Sequence, residues 1–507
     1  MAKKLKVLYV SSEIEPFAKT GGLADVSAIL PRALTALGCK VSVLLPYYLQ
    51  TKTQDLGIKL FKVKMATKLG NTNLTFSLYH LKKEGVDFYF INKNDYYDRE
   101  FLYGTPKADY PDNALRFAFL ASAALTSAKT LNLKPDIIHL NDWQTALIPF
   151  YLEYTLRDDP FFRNIRTVFT IHNLAYQGLF GREIMPGIGI DDSFFTPGRL
   201  EFYGKFSFMK AGILYSDAIT TVSKGYAREI LDKELGCGLE GLLNINRHKL
   251  YGILNGADYN EWNPKTDRFI KVRYDERTLK NKAVCKQDLL AQMELPLCPT
   301  TPLLGVVSRL AEQKGIDIIA DSAEEIVKLG CNIVILGTGD ERYHNLLTEL
   351  AGRHPKNIAV KIAFDNSLAH KIEAGSDMFL MPSRYEPCGL NQMYSLKYGT
   401  IPVVRAVGGL DDSIVDYTQG RKGGNGFKFN QAAKSDFIDA LKRAISVYQN
   451  KNEWRRLVLR AMGYDFSWKK SVKEYIRIYN LISQQNTIAP TLKEQRRPDT
   501  KTIAERI

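Results

Sequence analysis

Apolar and polar positions along this chain follow two rhythms in turn. Residues 5–11 (LKVLYVS) form a short, almost unbroken apolar run, the pattern of a strand buried on both faces of a parallel sheet. After a polar loop, Leu23, Val26, Leu30, Ala33, Leu34 and Leu37 recur at helical spacing up to a stop at Gly38. Pro31 falls inside that helix and is expected to kink it or to start a new turn. Strand-like runs return at 41–45, 86–91, 136–140, 167–171 and 218–222, each closed by polar or glycine-containing turns, which predicts an α/β domain. The pattern changes near residues 251–256, and the stretch 262–277 is polar and aperiodic. A second α/β region starts at Leu303, with later strands at 358–361, 378–382 and 401–404. A strongly amphipathic helix at 468–482 follows, and the polar tail from Gln484 reads as disordered or loosely attached.

The loop between the first strand and the first helix holds Lys19, Thr20, Gly21 and Gly22. Amides at a helix start point outward and carry the positive end of its dipole, so a glycine turn lets an anion approach and a lysine adds a full charge. A plain glycine turn with a solvated lysine would look the same in isolation. The second half, however, repeats the plan: LLGVVSRLAEQKGIDIIADSAEEIVKLGCNIVILG again runs strand, loop with lysine and glycine, helix, Leu-Gly-Cys, strand. Lys314 and Gly315 take the place of Lys19 and its glycines, and Leu329, Gly330 and Cys331 that of Leu37, Gly38 and Cys39. Two such βαβ units predict two nucleotide-fold domains with their ligand loops facing one cleft.

Bulk properties narrow the ligand. At 507 residues, 45% hydrophobic and 24% charged, the chain has room for two large domains of ordinary soluble composition. Its net charge of +14 is scattered through amphipathic segments, with no basic run interleaved with aromatics, which favours an anionic small substrate over a nucleic-acid partner. Six cysteines, at 39, 237, 285, 298, 331 and 388, show neither metal-ligand nor disulfide spacing. No apolar stretch approaches the ~18 residues of a spanning helix, and the basic start leads into a strand and two glutamates instead of a signal peptide. A cytoplasmic protein without a membrane partner is expected.

The chain resembles the bacterial glycogen synthases and plant starch synthases that use ADP-glucose, from about residue 7 to about residue 479. The motifs that carry the likeness are Lys19 to Leu23; His139, Leu140, Asn141, Asp142, Trp143; Thr170 to Asn173 with Tyr176, Gln177, Gly178; Asn255 and Gly256; Ser308 and Arg309 with Lys314 and Gly315; and Pro382 to Leu390 (PSRYEPCGL). The resemblance implies an α/β protein of two facing Rossmann-like domains, the GT-B fold, with an interdomain cleft. Residues 1–255 would form the acceptor-side domain, 256–466 the nucleotide-sugar domain, 467–483 a helix packing back on the first domain, and 484–507 the tail. It also implies retaining transfer of glucose from ADP-glucose to the non-reducing 4-hydroxyl of an α-1,4-glucan, in glycogen biosynthesis, with no cofactor and no metal. It is the resemblance that names ADP-glucose; the residues read alone leave it level with UDP-glucose.

Residue by residue, the resemblance gives Arg309 and Lys314 the donor diphosphate. Both follow the strand at 303–307, at the end where open α/β sheets bind ligands, and cations fixed where leaving-group charge grows lower the barrier. Glu386 would touch the donor glucose, with the turn at Cys388, Gly389 and Leu390 holding sugar and phosphate; a bland alternative pairs Glu386 with Arg384. Cys388 is read as packing, not as a nucleophile. His172, after the strand at 167–171, would lie beside the sugar, and Asp142 would line the glucose. Lys19, Gly21, Gly22, Asp25 and Asn255 join the substrate-binding set, and Tyr96 the acceptor side. His139 reads as core. Two departures stand out: Tyr394 occupies the position where many relatives of this architecture carry a second glutamate, and Gln144 the position of a frequent histidine.

Three rival readings fit the sequence less well. A glucan phosphorylase would need a lysine bearing pyridoxal phosphate, for which no motif is present. In a dehydrogenase, Gly337, Thr338, Gly339 and Asp340 would have to complete GxGxxG, which they do not. A noncatalytic glucan-binding module would not require Lys19, Arg309, Lys314 and Glu386 together.

Overall fold

The computed structural model describes residues 4–105, 107–298, 300–418 and 423–484. Apart from Gln484, which ends the last helix, the expected tail lies outside the described residues. The chain divides into two compact units, residues 4–222, 227–253 and 468–484 forming one and residues 223–226 and 254–467 the other. Leu254 and Asn255 therefore belong to the second unit and not to the first.

The first unit is built on strands β1 (Lys6–Val10), β2 (Lys40–Pro46), β3 (Lys59–Leu69), β4 (Thr72–Lys83), β5 (Val86–Asn92), β6 (Ile137–Asn141) and β7 (Arg166–Ile171). A small antiparallel sheet of β8 (Leu179–Phe180), β9 (Glu201–Phe202) and β10 (Lys205–Ser207) intervenes before β11 (Ala218–Thr221) and β12 (Leu250–Gly252). The main sheet has the order β12-β11-β7-β6-β1-β2-β5-β4-β3. It is parallel from β12 to β5 and antiparallel beyond. The hairpin β3–β4 did not stand out in the sequence because its outer strand is lysine-rich and mostly exposed. Its signal is the two-residue turn Gly70-Asn71, with Leu69 opposite Thr72 and Gly70 at φ 55°.

Buried apolar runs give the central strands, and the helices between them cover the faces. The helix Gly22–Ala36 is continuous through Pro31. The proline removes one amide from the ladder, but Leu30 and Leu34 on either side are fully buried and Arg32 Nε donates to the Ala28 carbonyl at 2.7 Å. Tertiary packing outweighs the local defect. The two repeats end their first helices alike. The Gly38 and Gly330 amides each donate to the carbonyl three residues back, and the Cys39 and Cys331 amides to the one five back, with the glycines at φ 93° and 74°.

The helix Trp468–Gln484 completes the core of the first unit, with Trp468, Val472, Tyr475, Ile478 and Tyr479 packed among Val7, Tyr9 and Val41. Tyr479 reaches His139, whose Nδ1 lies 2.5 Å from the phenol and whose Nε2 lies 2.7 Å from Thr170 Oγ1. Burial lowers the His139 pKa to about 3, so it is a neutral core residue.

The second unit carries β13 (Leu303–Val307), β14 (Asn332–Gly337), β15 (Ile358–Ile362), β16 (Met378–Met381), β17 (Ile401–Arg405) and β18 (Phe427–Phe429) in the parallel order β15-β14-β13-β16-β17-β18. The aperiodic stretch from Trp262 is firmly anchored in it. Trp262 stacks between His370 at 3.8 Å and Tyr394 at 4.3 Å. The buried Asp267 carboxylate takes the Tyr398 hydroxyl at 2.5 Å and His370 Nδ1 at 2.8 Å. Tertiary partners, which leave no period in the sequence, hold this segment. No helix among the described residues is long and apolar enough to cross a membrane.

Because Ile478 is fully buried in the first unit, Ile478→Ala is expected to cost about 2–5 kcal/mol of that unit's stability, read from denaturant unfolding. A change below 1 kcal/mol would mean that the last helix is not part of this core.

Candidate active site

In each unit the chain leaves its first strand to one side and later crosses to the other. In the first unit β1 lies between β2 and β6; in the second, β13 lies between β14 and β16. Loops leaving the carboxyl ends of such neighbouring strands diverge and open a crevice, the usual ligand position in open α/β sheets. Most of the residues singled out in the sequence sit at these two crevices.

In the first unit, the loop after β1 is organised by Glu13, a residue that no spacing rule singles out. Its buried carboxylate accepts the Thr20 amide at 2.5 Å, the Thr20 hydroxyl at 2.7 Å, the Gly21 amide at 3.2 Å and the Tyr103 hydroxyl at 2.6 Å. This corrects the picture of an unpaired glycine loop: the protein's own carboxylate occupies the amides of Thr20 and Gly21. The Ala24 amide donates to the Gly21 carbonyl at 3.2 Å, so the amides of Gly22 and Leu23 are those an anion would meet. Lys19 Nζ pairs with Asp25 Oδ1 at 2.6 Å, so the two substrate-binding candidates hold each other at this helix start.

Beside that loop, Asp142 follows β6 and His172 follows β7. The His172 amide donates to Asp142 Oδ1 at 2.7 Å, and the His172 ring places Nε2 2.9 Å from Asn141 Oδ1. That amide oxygen also accepts the Tyr9 hydroxyl at 3.0 Å. An amide oxygen only accepts, so Nε2 carries the imidazole proton and Nδ1 is left as an acceptor. Burial lowers the His172 pKa to about 3 and keeps the ring neutral. Burial raises Asp142 to about 7 against the amides of His172 and Asn173, which pull it down, and the charge of Glu13 adds to the rise. Asp142 also has φ 54° and ψ −177°, a conformation almost confined to glycine.

In the second unit, Lys314 and Glu386 form one cluster. Lys314 Nζ lies 2.7 and 2.9 Å from the two Glu386 oxygens, and Ser383 Oγ donates to Glu386 Oε2 at 3.0 Å. Arg309 Nη2 donates to Gln313 Oε1 at 3.0 Å, and Gln313 Nε2 donates to the Tyr385 carbonyl at 3.3 Å, tying the loop after β13 to the loop after β16. Gly315 is required here: it has φ 67°, and a Cβ would come within 2.2 Å of the Pro382 carbonyl oxygen. Arg384 does not pair with Glu386; it forks onto Asp317 at 2.7 and 2.9 Å. Cys388, Gly389 and Leu390 lead into the helix Asn391–Tyr398, which has no side-chain cap and whose Asn391 Nδ2 donates to the Val307 carbonyl at 2.7 Å. Burial pushes the Cys388 thiol up to about 12, which fits packing and not nucleophilic chemistry, and Asn255 hydrogen-bonds to it. No group of three or more His, Cys, Asp or Glu among the described residues is placed to hold a metal ion.

Residues 6–245 match the starch synthase catalytic domain family and residues 294–457 the glycosyl transferases group 1 family. A glycogen synthase of Koribacter versatilis is 45% identical over 488 residues, 96% of this chain and 100% of that protein. The chain belongs to the glycogen and starch synthase family. A second member, a glycogen synthase of Geotalea daltonii, is 45% identical over 94% of this chain and 99% of its own. The catalytic domain of starch synthase IV from Arabidopsis thaliana, solved bound to ADP and acarbose, matches with a TM-score of 0.88 and 32% identity over 95% of this chain and 100% of that one. A sucrose-phosphate synthase of Thermosynechococcus elongatus, at 15% identity and a TM-score of 0.58 over 94% and 99% of the two chains, shares the fold. The fold is GT-B and the protein is a glycosyltransferase.

Among the residues that the likeness to this synthase family points to, Tyr96 stands apart. Its ring packs edge-on against Phe119 at 5.3 Å and its carbonyl accepts Arg116 Nε at 2.7 Å, and it shares no hydrogen bond with Asp142 or His172 among the described residues. Tyr394, at the family-variable position, is occupied by its stack on Trp262. Glu13, Asn141 and Gln313 act through hydrogen bonds between distant loops, which single-sequence spacing does not reveal.

Asp142 has a pKa above its unfolded value, so the native state binds the extra proton and stability falls as pH rises from about 4 through about 7. Asp142→Asn is expected to flatten this slope, gaining up to about 4 kcal/mol relative to wild type at pH 8 compared with pH 4. Urea unfolding at the two pH values measures it, and parallel slopes in the two proteins would refute the shift.

Proposed function

We propose that the chain transfers glucose from ADP-glucose to the non-reducing 4-hydroxyl of an α-1,4-glucan with retention of configuration, as a glycogen synthase working in the cytoplasm. The observation that carries the reading is the cluster of Lys314, Glu386 and Ser383 with Arg309 beside it, at the switch point of the second unit. Two cations fixed at strand ends suit a diphosphate, and a buried carboxylate suits sugar hydroxyls. The six cysteines are free, as a reducing compartment requires.

On this reading Arg309 and Lys314 neutralise the charge that grows on the distal phosphate as the C1–oxygen bond breaks. Glu386 holds the glucose and keeps Lys314 in place. The departing phosphate oxygen takes the proton of the acceptor 4-hydroxyl, which bonds to C1 on the same face, so configuration is retained without a carboxylate nucleophile. The first unit contributes neutral His172 and Asp142 to the sugar, and Lys19 to donor binding. Starch synthase IV, solved with ADP and acarbose, supports a nucleotide and a glucan as the substrate classes.

The test is incorporation of radiolabelled glucose into glycogen from ADP-glucose and, separately, from UDP-glucose. Transfer from ADP-glucose is expected to dominate; no transfer from either donor would refute the assignment. Lys314→Ala and Arg309→Ala are each expected to lower kcat by about 100-fold, on the order of 3 kcal/mol, with glycogen binding retained. Unchanged turnover would remove these residues from the mechanism.

A further inference from the structure

The first unit holds a cavity of about 550 Å³ that none of the residues discussed above uses. Its floor includes Thr167, near the start of β7, and Asp217, just before β11. In a parallel sheet this is the edge opposite to His172 and Asp142. The volume is that of a small-ligand site.

Its chemistry is specific. Tyr154 and Tyr215 line one wall at right angles, 5.4 Å apart, with Tyr154 44% exposed, and buried Phe162 lies below. Ser216 also lines the cavity, and its buried Oγ has no hydrogen-bond partner among the described residues. Arg157 and Arg163 add two exposed guanidinium groups, neither with a hydrogen-bond or ion-pair partner among the described residues. Of the lining acids, Asp217 is paired with Arg166 at 2.9 Å and accepts the Thr167 amide at 2.9 Å, leaving Glu153 on the rim. Aromatic walls, an unanswered hydroxyl and uncompensated guanidinium groups together suit a planar ring bearing a compact anion.

The wall is also joined to the catalytic edge by one short run of chain. Directly after Asp142, the chain winds as a 3₁₀ turn at Trp143–Thr145, an α turn at Leu147–Phe150 and a wider π turn at Tyr151–Thr155. The π turn carries Leu152, Glu153 and Tyr154 into the cavity. Such turns are rare and concentrate at functional positions.

We propose that this cavity is a second ligand site, for a ring-bearing organic phosphate of the nucleoside monophosphate class, and that its occupancy alters turnover through the segment from Trp143 to Thr155. The ring stacks on Tyr154, Ser216 meets a polar edge, and the phosphate lies between Arg157 and Arg163. Binding can change the rate only as far as it prefers one arrangement of that segment.

AMP titrated calorimetrically into the full chain tests the site. Arg157→Ala with Arg163→Ala is expected to weaken a component of AMP binding at least tenfold, and Lys314→Ala to leave that component within twofold. Tyr154→Ala should weaken AMP but not inorganic phosphate, and inorganic phosphate alone should bind at least tenfold more weakly than AMP. AMP should change the rate of glucose incorporation at least twofold in the wild type and not in the double arginine variant. Binding of AMP untouched by the arginine and tyrosine variants, or lost entirely with Lys314→Ala, would overturn the site. A rate indifferent to bound AMP would overturn its coupling to turnover.

Discussion

In each unit the order of strands in a parallel sheet decides where chemistry can occur. Once β1 has β2 on one side and β6 on the other, and β13 has β14 and β16, the loops leaving these neighbours must part, and their ends share one edge. Lys19, Asp142 and His172 in one unit, and Arg309, Lys314 and Glu386 in the other, come from loops far apart in sequence that this constraint gathers. The rest of the site is detail added to that geometry: which carboxylate answers which cation, and which amide is already occupied.

That detail has a common theme. At both edges the protein supplies its own counter-charge. Glu13 takes the amides of the first loop, Asp25 takes Lys19, and Glu386 takes Lys314. A buried carboxylate beside a cation costs desolvation unless both are well hydrogen-bonded, and the Glu386 carboxylate has Ser383 as well as Lys314. On the proposed function, an incoming phosphate would replace part of an existing balance. It would not meet bare charges but groups already fixed in position.

The parts legible in the sequence were those with a period or a repeat. Buried strands, the two lysine loops and the paired Leu-Gly-Cys helix ends follow from local pattern, and the helix ends reappear as matching hydrogen bonds at Gly38 and Gly330. The parts that were not legible depend on long-range partners. Glu13 is one glutamate among many until Thr20, Gly21 and Tyr103 surround it. Trp262 lies in an aperiodic stretch until His370 and Tyr394 stack on it. Pro31 predicts a disturbed helix until the burial of Leu30 and Leu34 outweighs it. Arg384, the natural local partner for Glu386, is drawn away by Asp317, a residue on the helix that follows Gly315.

Asp142 shows how a site of this kind is held ready. Its backbone lies where a side chain costs about 1–3 kcal/mol, so other interactions must keep it there. Its amide donates to the Thr170 carbonyl at 3.0 Å, its carboxylate accepts the His172 amide, and Thr145 Oγ1 both accepts the Asn141 amide at 2.7 Å and donates to the Asn141 carbonyl at 2.9 Å. Relaxing the backbone would break the hydrogen bonds of Asp142 to Thr170 and His172, at the end of the ladder between β6 and β7. Burial of the same carboxylate raises its pKa towards neutrality, so the group that anchors the His172 amide is also one with a high proton affinity. A glycine would relieve the strain but surrender both the carboxylate and the hydrogen bond that positions the histidine.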